Sequence, residues 1–245
     1  MTCLLIVGII VLYLYYHIVV KSFLPEEDTM EKRLSRVERE KIQIERTILQ
    51  HAEDLFKQGG YENTTMGMLA KSCEYTTRTI YRYFSCKEDL YFAVLLKGHI
   101  GLLETAKTIA QSDYTGKEKI MLGIQAFRDF HAESGYLFDL MSQIKAIRSK
   151  KQPDELPFYQ RYEDCAVAIH REFVSFYTLA HEDKSIRTDV DASMFGFSSI
   201  FVLNGFFHML SMTGDRFTRH FSLDMEQFIE FTLKLLLELL DGDKQ

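Results

Sequence analysis

The stretch from Thr64 to Leu90, TTMGMLAKSCEYTTRTIYRYFSCKEDL, constrains the fold of this chain more than any other. Met66, Leu69 and Cys73 recur at helical spacing, and Ala70 is small enough for close packing. Thr64 or Thr65 caps that first helix, because a threonine hydroxyl accepts a bond from an otherwise unpaired backbone N–H. Glu74-Tyr75-Thr76 breaks the pattern, and Thr76 caps a second helix with Ile80 and Phe84 four apart on one face. Ser85-Cys86-Lys87-Glu88 has the form of a capping box, so a third helix is expected to begin at Ser85. Two short helices around a tight turn, followed at once by a third, make a helix-turn-helix.

Thr77, Arg78, Tyr81 and Arg82 occupy the other face of the second helix. Between Tyr75 and Lys87 there are three cations (Arg78, Arg82, Lys87) and no acid, in a chain of net charge −6. Hydroxyls, arginines and tyrosines on one helix face are the groups that reach base edges and phosphates in a DNA major groove. The same local pattern also fits a short amphipathic helix with a solvated basic face.

A longer run carries a resemblance. Phe56, Gly60-Tyr61, Thr64-Thr65, Leu69-Ala70 and the block Thr79-Ile80-Tyr81-Arg82-Tyr83-Phe84 with Lys87-Glu88 agree in type and spacing across Ile48 to Leu95. This segment resembles the amino-terminal domain of TetR-family transcriptional regulators. The resemblance implies an all-helical homodimer that binds a palindromic operator on double-stranded DNA, acts as a repressor, and is released by a small-molecule effector held in a larger carboxy-terminal domain. Thr76, Thr77, Arg78 and Thr79 are the expected base contacts. Tyr81, Arg82, Tyr83, Lys87 and Thr65 are the expected phosphate contacts at the family's matching positions. Three residues depart from the pattern: Glu74 stands where a turn glycine is usual, Tyr75 where a small apolar residue is, and Gly67 where a polar one is. A left-handed backbone at Glu74 costs on the order of 1 kcal/mol.

Composition agrees with an all-α fold. Proline numbers only 3, tryptophan is absent, and 47% of the 245 residues are hydrophobic, ample for a core. The acidity argues against indiscriminate coating of nucleic acid and suits positive charge gathered on one local face. Cys3, Cys73, Cys86 and Cys165 are scattered, with no C-x-x-C, and read as reduced thiols of a cytosolic protein.

Residues 1–29 form an apolar leader and linker. Thr2 to Val20 is nearly all apolar, about the minimum length that spans a bilayer. Cations follow it, so an anchored chain keeps its body in the cytoplasm. A misassigned start, with the biological chain beginning at Met30, explains the leader equally well. Residues 30–90 are the expected three-helix DNA-binding domain: a charged helical run from Glu31, an apolar stripe from Ile44 to Phe56, and an end at Gly59-Gly60.

Residues 91–245 are the expected helical effector-binding and dimerisation domain. Helices are expected from Ser85 toward Ile109, over Lys117–His131, Tyr136–Lys150 and Phe158–Ala180, and then Asp189–Met212 and Leu223–Leu240, the last capped by Ser222. The run MFGFSSIFVLNGFFHML is apolar all round, which requires burial on every side. By the resemblance, 189–212 and 223–240 form the homodimer interface; completing the monomer core is the other reading. Phe127, Phe138, Met141, Tyr162, Phe173, Tyr177, Phe201 and His208 are the expected effector-pocket liners, though ordinary core packing also accounts for each. No H-E-x-x-H, G-x-S-x-G, G-x-G-x-x-G or P-loop is present, so no enzyme, metal site or cofactor is expected. The competing function is a membrane-anchored helical dimer for protein interaction that has lost DNA reading.

Overall fold

The computed structural model describes residues 35–149, 151 and 155–241. The leader at 2–20, the linker at 25–29, the alternative start at Met30, Cys3 and the tail at 242–245 lie outside the described residues. Within them the regular structure is helical throughout, as the composition predicts.

The chain divides into two compact units after Thr47. Helix α1 (Arg36–Asn63) opens in the first of them. There Ser35 and Glu38 cap it reciprocally: the Ser35 N–H donates to the Glu38 carboxylate (2.8 Å) and the Glu38 N–H to the Ser35 hydroxyl (3.2 Å).

The second unit holds the rest. The remainder of α1 buries Ile48, Ala52 and Phe56, the stripe read from the sequence. Its helical path breaks at Gly60, whose φ of 74° is open to glycine and strained for other residues. The chain then turns Tyr61 inward, with its ring 5.7 Å from Phe56 and 5.0 Å from Tyr91. Helices α2 (Met66–Ser72) and α3 (Thr77–Tyr83) follow, then α4 (Lys87–Ala110), α5 (Gly116–Ser134), α6 (Tyr136–Met141), α7 (Ile144–Arg148), α8 (Pro157–Glu182), α9 (Ala192–Thr213), α10 (Arg216–His220) and α11 (Met225–Glu238), closed by a 3-10 turn at Leu239–Asp241. Helix α8 is the central strut, packed along α4, α5 and α9. Tyr91, Phe92, Phe138, Phe176 and Phe207 are the large side chains sealed around it.

Several boundaries differ from the sequence expectation. The box at Ser85 is not formed: Cys86 is the N-cap of α4 and offers no side-chain bond. The expected helix 136–150 is two, because the hydrogen-bond ladder breaks at Ser142-Gln143. No glycine or proline marks that break, and Leu137, Leu140, Ile144 and Ile147 keep helical spacing across it. Helix α5 starts one residue early, at Gly116, under a Thr115–Glu118 capping box that the loop assignment hid. Asp224, not Ser222, caps α11, accepting from the Gln227 N–H at 2.9 Å, and α10 falls between two expected helices where none was expected.

The largest difference concerns α9. Gly196, Ser199, Ile200, Leu203, Phe207 and Leu210 are buried, but Met194, Phe201, Met209 and Met212 are 60–80% exposed. Among the described residues α8, α6 and α11 pack on part of α9, and the face that carries these four side chains stays open. The expectation of burial all round therefore fails within one chain. Among the described residues α9 alone is long and apolar enough to cross a membrane, a test that interface and core helices also pass.

Candidate nucleic-acid interface and effector cavity

Two threonine caps set the helix-turn-helix. The Thr65 hydroxyl accepts from the Met68 N–H at 3.1 Å and starts α2; the Thr76 hydroxyl accepts from the Thr79 N–H at 3.1 Å and starts α3. Thr64 is buried instead and donates to the Gly60 carbonyl at 3.0 Å, tying the head of α2 to the break in α1. In the turn Glu74 has φ 57°, the left-handed conformation expected there, and the Tyr75 N–H returns to the Ala70 carbonyl at 2.9 Å. Leu69, Ile80 and Phe84 lie fully buried and clamp the two helices. Phe84 also stacks at 5.4 Å on Phe158, the second residue of α8.

The remaining face of α3 is open. Thr77, Arg78, Tyr81 and Arg82 are exposed, as are Thr65 and Thr76. Thr76 and Thr79 hydroxyls lie 2.9 Å apart and are engaged with each other, so Thr77 and Arg78 are the freer pair of the four expected base contacts. Tyr83 is half-buried, with the Arg82 guanidinium 5.2 Å from its ring centre. Lys87 rests over the Tyr61 ring at 4.2 Å and donates to the Glu62 carbonyl at 3.2 Å. Lys87 is the first residue of α4, whose amino terminus carries no side-chain cap bond. All nine expected DNA-contacting residues fall in one continuous segment of two helices and their flanks.

Three further ties around the start of α4 were missed by sequence reading. The buried carboxylate of Asp89 accepts the Phe158 N–H at 2.9 Å, capping α8 from α4. Burial raises its pKa, against the lowering pull of that N–H and of Arg161. The Tyr91 hydroxyl donates to the Leu140 carbonyl at the end of α6, and burial pushes that phenol well up. Glu53 of α1 pairs with Lys97 of α4 at 2.8 Å and with Lys57 at 2.6 Å. Burial raises the Glu53 pKa, but hydrogen bonds from Lys57, Lys97 and Tyr136 outweigh it and hold the carboxyl at about 2.

The eight expected effector liners do not enclose one pocket. Phe127, Phe138 and Phe173 meet, with Phe127 6.2 Å from Phe138 and 6.5 Å from Phe173. The void that Phe127, Phe173 and Tyr177 share is only about 20 Å³. Gly123 faces Phe173 so closely there that a Cβ would lie 2.8 Å from its ring. Tyr162 sits apart, edge-on to the buried His99 at 5.1 Å. His208 is half-buried, and Phe201 is 80% exposed on the outer face of α9. Met141 lines a different space, a cleft of about 600 Å³ among α6, α7 and the start of α8. A cluster of aromatic residues looks the same in sequence whether it surrounds a hole or fills one. Among the described residues no group of His, Cys, Asp and Glu could hold a metal ion.

This architecture, a capped helix-turn-helix borne on a long helix that runs into a helical body, defines a class of regulatory proteins. Residues 48–94 match the family model of bacterial regulatory proteins, tetR family. The body agrees in fold. A tetR-family regulatory protein from Rhodococcus is 17% identical, with a TM-score of 0.62 over 82% of this chain and 98% of that one. The regulator PfmR from Thermus thermophilus is 19% identical, at 0.61 over 80% and 99%. FadR from Bacillus subtilis, solved in complex with stearoyl-CoA, is 18% identical, at 0.60 over 79% and 97%. No curated protein matches by sequence. The head at residues 48–94 is similar to the tetR-family DNA-binding domain, and the chain as a whole shares its fold with TetR-family regulators.

Proposed function

We propose that this protein is a cytoplasmic repressor that binds a roughly palindromic DNA site as a homodimer and is released by a small-molecule effector. The observation that carries the reading is the face of α3: cationic, hydroxyl-bearing, free of acids and exposed, on a helix held by Thr76 and by buried Ile80 and Phe84. We assign base contacts to Thr76, Thr77, Arg78 and Thr79 and phosphate contacts to Thr65, Tyr81, Arg82, Tyr83 and Lys87. We assign residues 30–90 to the reading head and 91–245 to the sensing body.

The dimer follows from the uncovered apolar faces of the last long helices. Phe201, Met194 and Met209 on α9, Phe231 and Leu235 on α11, and Leu239 just after it are 46–80% exposed. Faces of this kind mark protein–protein contacts on otherwise soluble folds. A second copy covers them symmetrically and sets two α3 helices about 34 Å apart, one turn of the duplex. An effector releases DNA only by its differential affinity for a body whose head spacing misses that distance.

Arg78→Ala and Lys87→Ala test the assignment on a preferred and a scrambled duplex. Arg78→Ala is expected to narrow the difference between them by about 1–3 kcal/mol, and Lys87→Ala to weaken both alike and reduce the salt slope by about one. Equal, sequence-independent losses from both changes contradict it.

A further inference from the structure

A cleft of about 600 Å³ between the end of α6, α7 and the start of α8 is lined by both apolar and cationic side chains. Its floor is apolar, made of Met141, Ile144, Leu156 and Tyr159, of which Leu156 and Tyr159 are buried. Lys145, Arg148, Lys151, Ser142 and Ser149 complete its lining. From Lys145 to Lys151 the sequence holds four cations and no acid, a concentration of charge that a chain of net −6 shows in few places. The Arg148 guanidinium lies over the Tyr159 ring at 4.9 Å, and Lys151 approaches Glu155 at 3.8 Å. Among the described residues no carboxylate pairs with Lys145 or Arg148.

Resting on the regulator reading above, we propose that this cleft, not the filled aromatic core, is the effector site, and that its ligand is an anionic amphiphile: an apolar chain on the floor and a phosphate or carboxylate among Lys145, Arg148 and Lys151. Guanidinium and ammonium groups in the lining give charge-assisted bonds to such a head group, and the apolar floor takes the chain. The same three cations meeting a DNA phosphate would need no apolar floor.

The position also supplies the coupling. Phe158, next to Tyr159 and two residues after Leu156, is the residue that Asp89 caps and Phe84 stacks upon. Leu140, next to Met141, offers the carbonyl that Tyr91 holds. A ligand that shifts either wall of the cleft acts directly on the start of α4 and on the recognition helix. Asp89 and Tyr91 are positioning residues in this route.

Calorimetric titration of the full chain with decyl phosphate, decanoate and decanol, each below its micelle concentration, tests the site without DNA. At least one anion is expected to bind once per chain, with decanol about tenfold or more weaker, the ratio one lost charge-assisted contact gives. The double variant Lys145→Gln with Arg148→Gln is expected to weaken the anion by about tenfold or more and leave decanol unchanged. A stronger phosphate or a stronger carboxylate names the head group, and either supports the site. Equal binding of decanol, no binding of either anion, or an unaffected double variant overturns it. So does a double variant that loses affinity for duplex with no amphiphile present, which gives the cations to DNA instead. Failure of the regulator reading is visible separately, as absence of sequence preference in the wild-type chain.

Discussion

Gly116→Ala is a sharp test of how the sensing body is assembled. Gly116 opens α5, where its backbone presses against the end of α8. A Cβ there would lie 2.1 Å from the Ala180 nitrogen, 2.2 Å from its Cα and 2.5 Å from its Cβ. Two of these are backbone atoms, so no rotamer relieves them and the helices must part. Parting them strains two bonds that tie the start of α5 to the turn after α8, Gly116 N–H to Asp183 (2.7 Å) and Lys117 N–H to Ser185 (2.9 Å). Overpacking costs about 1–3 kcal/mol and each weakened bond about 1 kcal/mol, against a helix-propensity gain of about 0.5–1 kcal/mol, for a net loss near 3 kcal/mol. Gly101→Ala is the control: nothing lies within 4 Å of its added methyl, and it sits inside α4. It is expected to stabilise by about 0.5–1 kcal/mol. Urea unfolding followed by far-UV circular dichroism, at one fixed protein concentration, reads both. The reasoning is refuted if Gly116→Ala falls within about 0.5 kcal/mol of wild type, the range of an uneventful surface change.

Two further outcomes follow from strain and charge. Glu74→Gly relieves a left-handed non-glycine residue (φ 57°) and is expected to raise stability by about 1 kcal/mol, read in the same urea unfolding. An unchanged or lowered midpoint would show that the turn is not strained. Burial drops the pKa of His99 from 6.5 to about 4, with the Leu95 carbonyl opposing and His170 assisting. The folded pKa lies below the unfolded one, so the unfolded chain takes the proton first and stability falls as pH drops from 6.5 toward 4. The loss reaches about 3 kcal/mol, at about 1.36 kcal/mol per pH unit. His99→Gln is expected to flatten the pH–stability slope in that window by about one proton, and an unchanged slope would show that His99 does not titrate in this way.

Much of the head could be read from sequence because its determinants are local. Thr65 and Thr76 cap helices through their own neighbours, and Gly60 and Glu74 bend the chain by their own φ. Ser85 did not cap, and Asp89 three residues into the next helix was taken by Phe158, a partner 69 residues away that no local pattern announces. The break at Ser142-Gln143 lies inside an unbroken apolar period, so periodicity passes over it. The cleft beside it is a property of that break. Phe127, Phe173 and Tyr177 read as pocket liners because aromatic content is independent of whether the space between rings is empty. Phe201 read as buried because apolarity requires a cover, and among the described residues nothing covers it.

The central claim is that two copies of α3 read two half-sites of one duplex. Selection of duplexes from a random pool by the full chain, with the stoichiometry of the enriched complex taken by sedimentation, addresses it most directly. The enriched duplexes are expected to hold an inverted repeat with half-site centres about 10 base pairs apart, or a multiple of that, bound by an even number of chains. A pool that stays random at moderate salt, or an enriched site occupied by one chain, contradicts it.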